Sequence, residues 1–166
     1  MTRTLDVAAA ADILHREALA LDERRWDDWL ALYLPDAVYW VPAWKSEAEQ
    51  TNDPDTEISL IYYETRDGLK DRVWRLRSGQ SVASTPLRRT AHLIGNVLIA
   101  EAAAGDVVVK SSGVVHCYDP KRRTSHALFS LYEHRLRSTA DGWRIAGKTV
   151  RLQNDNIPAV VDVYML

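Results

Sequence analysis

The stretch from Asp22 to Pro42 constrains the fold more than any other part of this chain. It begins with helical spacing, in which Trp26, Trp29, Leu30 and Tyr33 share one face. Then comes Pro35, which lacks an N–H and clashes with the preceding turn, so a helix is expected to stop there. The aromatic and β-branched run Ala37-Val38-Tyr39-Trp40-Val41 follows at once and reads as a strand. A helix face and a strand face so close in sequence must bury against a common core. Upstream, Val7, Ala11, Leu14, Ala18 and Leu21 also follow helical spacing, with Asp22 at the junction, placed to cap the second helix.

The polar, proline-bearing stretch Lys45 to Asp55 reads as a surface loop, and Ile58 to Tyr63 as a short extended piece. Leu69, Val73 and Leu76 predict a third helix starting near Gly68. Ser81 to Arg89, broken by Pro86, reads as a second long connection. Everything after it signals strands: Leu93 to Ile99, a turn at Gly105-Asp106, then Val107 to Val109 and Val114 to Tyr118. Gly113 is expected to be a bulge. Thr124 to Arg137 and Trp143 to Ala146 flank Asp141-Gly142, a strong hairpin signal. Helices first, then antiparallel strands with short turns, predict an α+β fold. With 166 residues and no internal repeat or linker, one domain spanning 1–166 is expected.

Composition excludes several functions. The net charge is −2 with both signs interspersed, so no basic face is available for nucleic acid. No apolar run approaches the roughly 20 residues of a membrane span. Met1 to Asp6 has no signal-peptide core, and the cytoplasm is the expected location. Cys117 is the sole cysteine, which excludes an internal disulfide; its alternating surroundings read as a half-buried strand position. A Rieske cluster needs two Cys and two His ligands, so this chain cannot hold one. Six Trp and seven Tyr against one Phe favour subunit contacts, since both enriched types suit interfaces.

His92 is the strongest single candidate for chemistry, because an imidazole titrates near neutrality. Asp22 is the carboxylate that could orient it, and Asp22 followed by Trp26, with His92 followed by Leu93-Ile94-Gly95, resembles the acid–base pair of dehydratases that carry an Asp between their first helices and a His at the start of a strand. The pair could serve a cone-fold dehydratase or isomerase. The competing reading is a helix cap and a structural histidine. His126 and His134 share a strand face, but eight residues of strand separate them by about 26 Å, too far for one metal ion. With His116 they read as surface or packing residues, and His15 as solvated; no metal or cofactor site is expected. On the third helix, acidic Asp67 and Asp71 break up an Arg-rich run, and Trp74 and Arg77 are interface candidates.

Five segments together resemble one family. They are Arg16 to Trp29; Asp36 to Pro42; Glu57 to Tyr63 with Gly68-Leu69 and Asp71-Arg72-Val73; Arg89-Thr90-Ala91-His92; and Asn154-Asp155-Asn156-Ile157-Pro158. The chain is similar, over nearly its whole length, to the small (beta) subunits of bacterial aromatic-ring-hydroxylating dioxygenases. The third segment looks most like the branch acting on benzoate-type acids. The connection Ala102-Ala103-Ala104-Gly105 is shorter than in some relatives. The resemblance implies a nuclear-transport-factor-2-like cone, with helices on a curved, mostly antiparallel sheet. It implies a homotrimer of beta chains within an α3β3 hexamer. The partner alpha subunit would carry a Rieske 2Fe-2S cluster and a mononuclear iron, and a separate reductase would draw electrons from NADH. The product is a cis-dihydrodiol, and the beta subunit is mainly structural. A small aromatic-ligand binding module is the remaining alternative.

Overall fold

The N-terminal helix α1 (Val7–Asp22) starts where the Asp6 carboxylate accepts a hydrogen bond from the Ala9 N–H at 2.7 Å, satisfying one orphan donor of the first turn. The computed structural model describes residues 4–81, 84–103 and 105–166. Helix α1 buries Ala10, Leu14, Glu17, Ala18, Ala20 and Leu21, while Val7 stays exposed. A short turn with Arg24 at φ 56° leads to α2 (Trp26–Ala31). The expected cap does not form: α2 begins after Arg25 with no side-chain cap. Asp22 is instead the last residue of α1, and its carboxylate turns away to the sheet.

Pro35 does not end the helix either. Helix α2 stops at Ala31, and Tyr33 already opens strand β1 (Tyr33–Pro42). Between Tyr33 and Val38 the register against its neighbour slips, so Pro35 lies where no regular ladder needs its missing N–H. Strand β2 (Ser59–Tyr63) follows the loop, and then α3 (Arg66–Ser78). This helix starts at Arg66, two residues ahead of the expected Gly68, is capped by Thr65 and ends at left-handed Gly79. Leu69, Val73 and Leu76 are buried as the spacing predicted.

The remaining strands are β3 (Arg89–Ala103), β4 (Asp106–Asp119), β5 (Thr124–Thr139) and β6 (Gly142–Leu152). All six strands form one sheet in the order β2-β1-β6-β5-β4-β3. Among the described residues only β1 and β6 pair in parallel. The turn between β3 and β4 involves Ala104, which lies outside the described residues. The β5–β6 hairpin closes at Asp141 and Gly142, whose φ of 111° suits a residue without a Cβ.

Gly113 is not a bulge. It pairs in register with Ile94 and Ser130, and the irregularity sits opposite, on β3, where Asn96 takes φ 54°. Gly113 is glycine because space is short: a Cβ there would lie 2.6 Å from Tyr132 Cε2 and 2.9 Å from Ile94 Cδ1. Gly113→Ala should therefore destabilise the fold by about 1–3 kcal/mol, as overpacking does. A thermal melt unchanged from the parent would show that the Tyr132 ring yields at no cost.

The sheet curls without closing, since its edges β2 and β3 do not pair. Helix α1 packs over β3 and α3 over β1. The C-terminal Val163, Tyr164, Met165 and Leu166 are all buried in the hollow between them. Asp162 ties that segment down: its carboxylate accepts from Arg72 Nε at 2.8 Å and Nη2 at 2.9 Å, and from the Val163 N–H at 2.7 Å. Such a bidentate, largely buried pair fixes orientation as well as position. Beyond the end of β6, the Asn154 amide accepts from the Phe129 N–H and donates to Ala127 O, standing in for a missing strand.

Candidate functional site

Asp22 and His92 do meet. The carboxylate takes Thr90 Oγ1–H at 2.8 Å, the His92 N–H at 2.9 Å and His92 Nδ1 at 2.6 Å. Burial works against the charged Asp22, but these hydrogen bonds outweigh it and lower its pKa. An ionised carboxylate can only accept, so the proton lies on His92 Nδ1. Nε2 is the ring nitrogen turned away from that carboxylate. The His92 side chain is 2% exposed, and Nε2 has no hydrogen-bond partner among the described residues. The dyad joins the end of α1 to β3, a job that helix capping would not do.

The interior holds a second polar group. Glu17 sits on the apolar stripe of α1 between Leu14 and Leu21, and is buried. Its carboxylate accepts from Lys148 Nζ at 2.9 Å, from His134 Nε2 at 2.9 Å and from the Tyr33 hydroxyl. Burial alone would raise the pKa of this carboxyl. Lys148 and His134 reverse the sign and hold it far below the usual range. The pKa of His134 is lowered as well, chiefly by burial and further by Lys148, so this imidazole stays neutral at pH 7. The Lys148 ammonium also lies 5.1 Å from the Tyr132 ring centre and 5.8 Å from that of Tyr39.

Glu17, His92, Tyr132, His134 and Lys148 line one small cavity with the apolar Leu14, Ala18, Leu21, Ile94 and Leu166, and its volume is about 10 Å³. Drug-sized ligands occupy cavities of roughly 300–1,000 Å³. That cavity has no room for an aromatic ring. Hollows of roughly 500–600 Å³ among the described residues include open grooves beside Tyr63, Gly68 and Trp74, beside Pro86, Lys121 and Pro158, and beside Asp12, Arg16 and Trp143.

The other predicted residues lie elsewhere. Cys117 is fully buried, and burial lifts its thiol to about 11, which removes any nucleophilic character at neutral pH. His116 is exposed and His126 half-buried, and no group of three or more His, Cys, Asp or Glu among the described residues could hold a metal. Trp74 is 62% exposed on α3. Arg77 is engaged within the chain, donating to Asp27 of α2 at 2.7 Å.

The outer face of the sheet carries a feature that the sequence reading missed. Register places Leu93, Val114 and Phe129 side by side across β3, β4 and β5. The next outward row is Gly95, Ser112 and Leu131. Leu93, Phe129 and Leu131 are each about half exposed or more, and Leu98 lies further along the same edge strand. Alternation along β5 could have revealed it: Leu128, Ser130, Tyr132, His134 and Leu136 face inward, which leaves Phe129 and Leu131 outside. A contiguous apolar patch on a sheet face marks a contact surface.

Residues 16–159 match the profile of the family described as ring hydroxylating beta subunit. The chain is 41% identical over 160 residues to the small subunit of 2-halobenzoate 1,2-dioxygenase from Burkholderia cepacia, covering 96% of this chain and 94% of that one. It is 38% identical over 161 residues to the beta subunit of toluate 1,2-dioxygenase from Pseudomonas putida, covering 97% and 98%. The crystal structure of the beta subunit of benzoate 1,2-dioxygenase from Burkholderia mallei superposes with a TM-score of 0.81 at 34% identity, covering 99% of each chain. The architecture is the nuclear-transport-factor-2-like cone. No helix among the described residues is long and apolar enough to cross a membrane.

Proposed function

The chain belongs to the ring-hydroxylating beta-subunit family, and from that premise we propose that it is the structural subunit of a multicomponent dioxygenase acting on benzoate-type aromatic acids. In this reading 1–166 is one domain. Three copies form a homotrimer that carries three large alpha subunits as an α3β3 hexamer in the cytoplasm. The alpha subunit holds the Rieske cluster and the mononuclear iron. A separate reductase supplies electrons from NADH, and both atoms of O2 enter the ring as a cis-dihydrodiol. This chain supplies no group to that chemistry.

The observation that carries the reading is where the free space lies. The cone interior is filled down to about 10 Å³, while apolar side chains stand on the outer sheet face and Trp74 on α3. A binding module or a dehydratase needs a roomy interior. We assign the outer face of β3–β5 and the Trp74 surface to subunit contacts. Arg77, tied to Asp27, acts there by shaping α3.

The dyad provides the test. Asp22→Asn removes the carboxylate that a cone-fold acid–base enzyme would need to orient its imidazole. In the purified complex it should leave kcat within about twofold of the parent, a difference worth less than roughly 0.5 kcal/mol. A kcat loss of a hundredfold or more with the complex intact would move the chemistry into this chain.

A further inference from the structure

We propose that the cavity at the centre of the cone is a binding site for one water molecule, which donates one proton to His92 Nε2 and the other to His134 Nδ1. Nothing in this rests on the subunit reading.

Each imidazole is anchored by a carboxylate through one nitrogen: His92 through Nδ1 to Asp22 at 2.6 Å, His134 through Nε2 to Glu17 at 2.9 Å. Both carboxylates are ionised acceptors, so both anchoring nitrogens carry the proton. In the proposed arrangement both rings are neutral, and the other nitrogen of each is a bare lone pair. Both of these atoms are sealed from solvent and lack a hydrogen-bond partner among the described residues. Both residues line the same cavity.

Buried acceptors left unpaired are rare, because burial strips their hydration without replacement. The two lone pairs also define what can enter. An anion brings only further acceptors. A metal cation would have to sit beside the Lys148 ammonium, which lines the same cavity. A neutral molecule with two donors suits both nitrogens. The volume of about 10 Å³ is at the lower limit for one water and excludes anything larger. Buried waters typically make about three hydrogen bonds. Lys148 Nζ, already bonded to Glu17 Oε1 and near Leu166 O at 3.4 Å, can supply the third by donating to the water oxygen. Such a water would couple the Asp22–His92 pair on α1 and β3 to the Glu17–His134–Lys148 cluster on α1, β5 and β6, locking both tautomers.

The test uses the intact chain, alone or in its complex. Two-bond ¹H–¹⁵N spectra of the imidazoles should place the proton on Nδ1 of His92 and on Nε2 of His134. An atomic-resolution crystal structure should show one density peak within hydrogen-bond reach of His92 Nε2 and His134 Nδ1. In Ala18→Val, whose added methyl groups enter the cavity, that peak should be lost. A proton on the inward nitrogen of either ring, an empty cavity, or a peak that refines as an ion overturns the assignment. The wild-type measurements stand on their own if the filled variant does not fold.

Discussion

Lys148→Met should lower the free energy of unfolding by about 3–5 kcal/mol in a denaturant titration, the cost of stranding a buried charge. The Met side chain keeps most of the length and apolar character of the Lys148 stem. What it removes is the ammonium 2.9 Å from Glu17 Oε1. Glu17 would then face only Tyr33 and a neutral His134 in a site where both partners of the original pair are 4% exposed. The control is the double variant Glu17→Gln with Lys148→Met. It leaves no buried charge, so it should recover a large part of the loss despite carrying one more substitution. A single variant that costs under about 1 kcal/mol would mean that Glu17 is not ionised in the folded chain.

The same cluster sets the acid side of the stability profile. Glu17 and Asp22 have folded pKa values below their ordinary values of 4.5 and 3.8. Their contribution is therefore present above those ordinary values and is lost as pH falls through the lower folded ones, because the unfolded chain takes up the protons first. His134 is also lowered, from an ordinary value of 6.5, so the unfolded chain binds its proton first too. Stability should thus begin to decline below about pH 6.5 and fall further below about pH 4. A flat profile between pH 7 and pH 5 would contradict a neutral, buried His134.

The second large effect concerns assembly. Phe129→Glu combined with Leu131→Glu should abolish recovery of the complex while leaving the isolated fold nearly unchanged. Both side chains point outward from β5, so their replacement opens no cavity; surface changes of this kind usually cost within about 0.5 kcal/mol. If the face is buried between subunits, two carboxylates must instead be desolvated against an apolar partner. Loss of a central contact weakens binding by at least about 2 kcal/mol, or roughly thirtyfold. Size-exclusion chromatography of the co-expressed complex reads this directly. Normal assembly of the double variant would remove the outer face from the contact surface.

Much of the fold was legible because its signals are local. The helical stripe of Leu69, Val73 and Leu76 and the Asp141-Gly142 turn each depend on neighbours a few residues away. The errors came where a distant element decides. Asp22 has the chemistry of a cap, yet β3 offers it three donors at a sequence distance of about seventy residues. Pro35 would end a helix, but α2 had already stopped and a register slip accommodates the ring. Gly113 is small because the Tyr132 ring reaches over it from the neighbouring strand, which no window around Gly113 can reveal. The Glu17 cluster was half visible: a carboxylate between Leu14 and Leu21 on an apolar stripe, and His134 on the inward parity of β5, both demand a partner. Lys148 as that partner needed the sheet. The outer apolar row needed the register of three strands, since Leu93, Val114 and Phe129 are far apart in sequence.

The most direct test of the central claim is capture of the chain from its source cells under native conditions, followed by the native mass and iron content of what is recovered. The account predicts a large complex in which this chain accompanies a heavier subunit, with iron and the visible spectrum of a Rieske cluster. An iron-free assembly of this chain alone, obtained from cells that express an active dioxygenase, would contradict it.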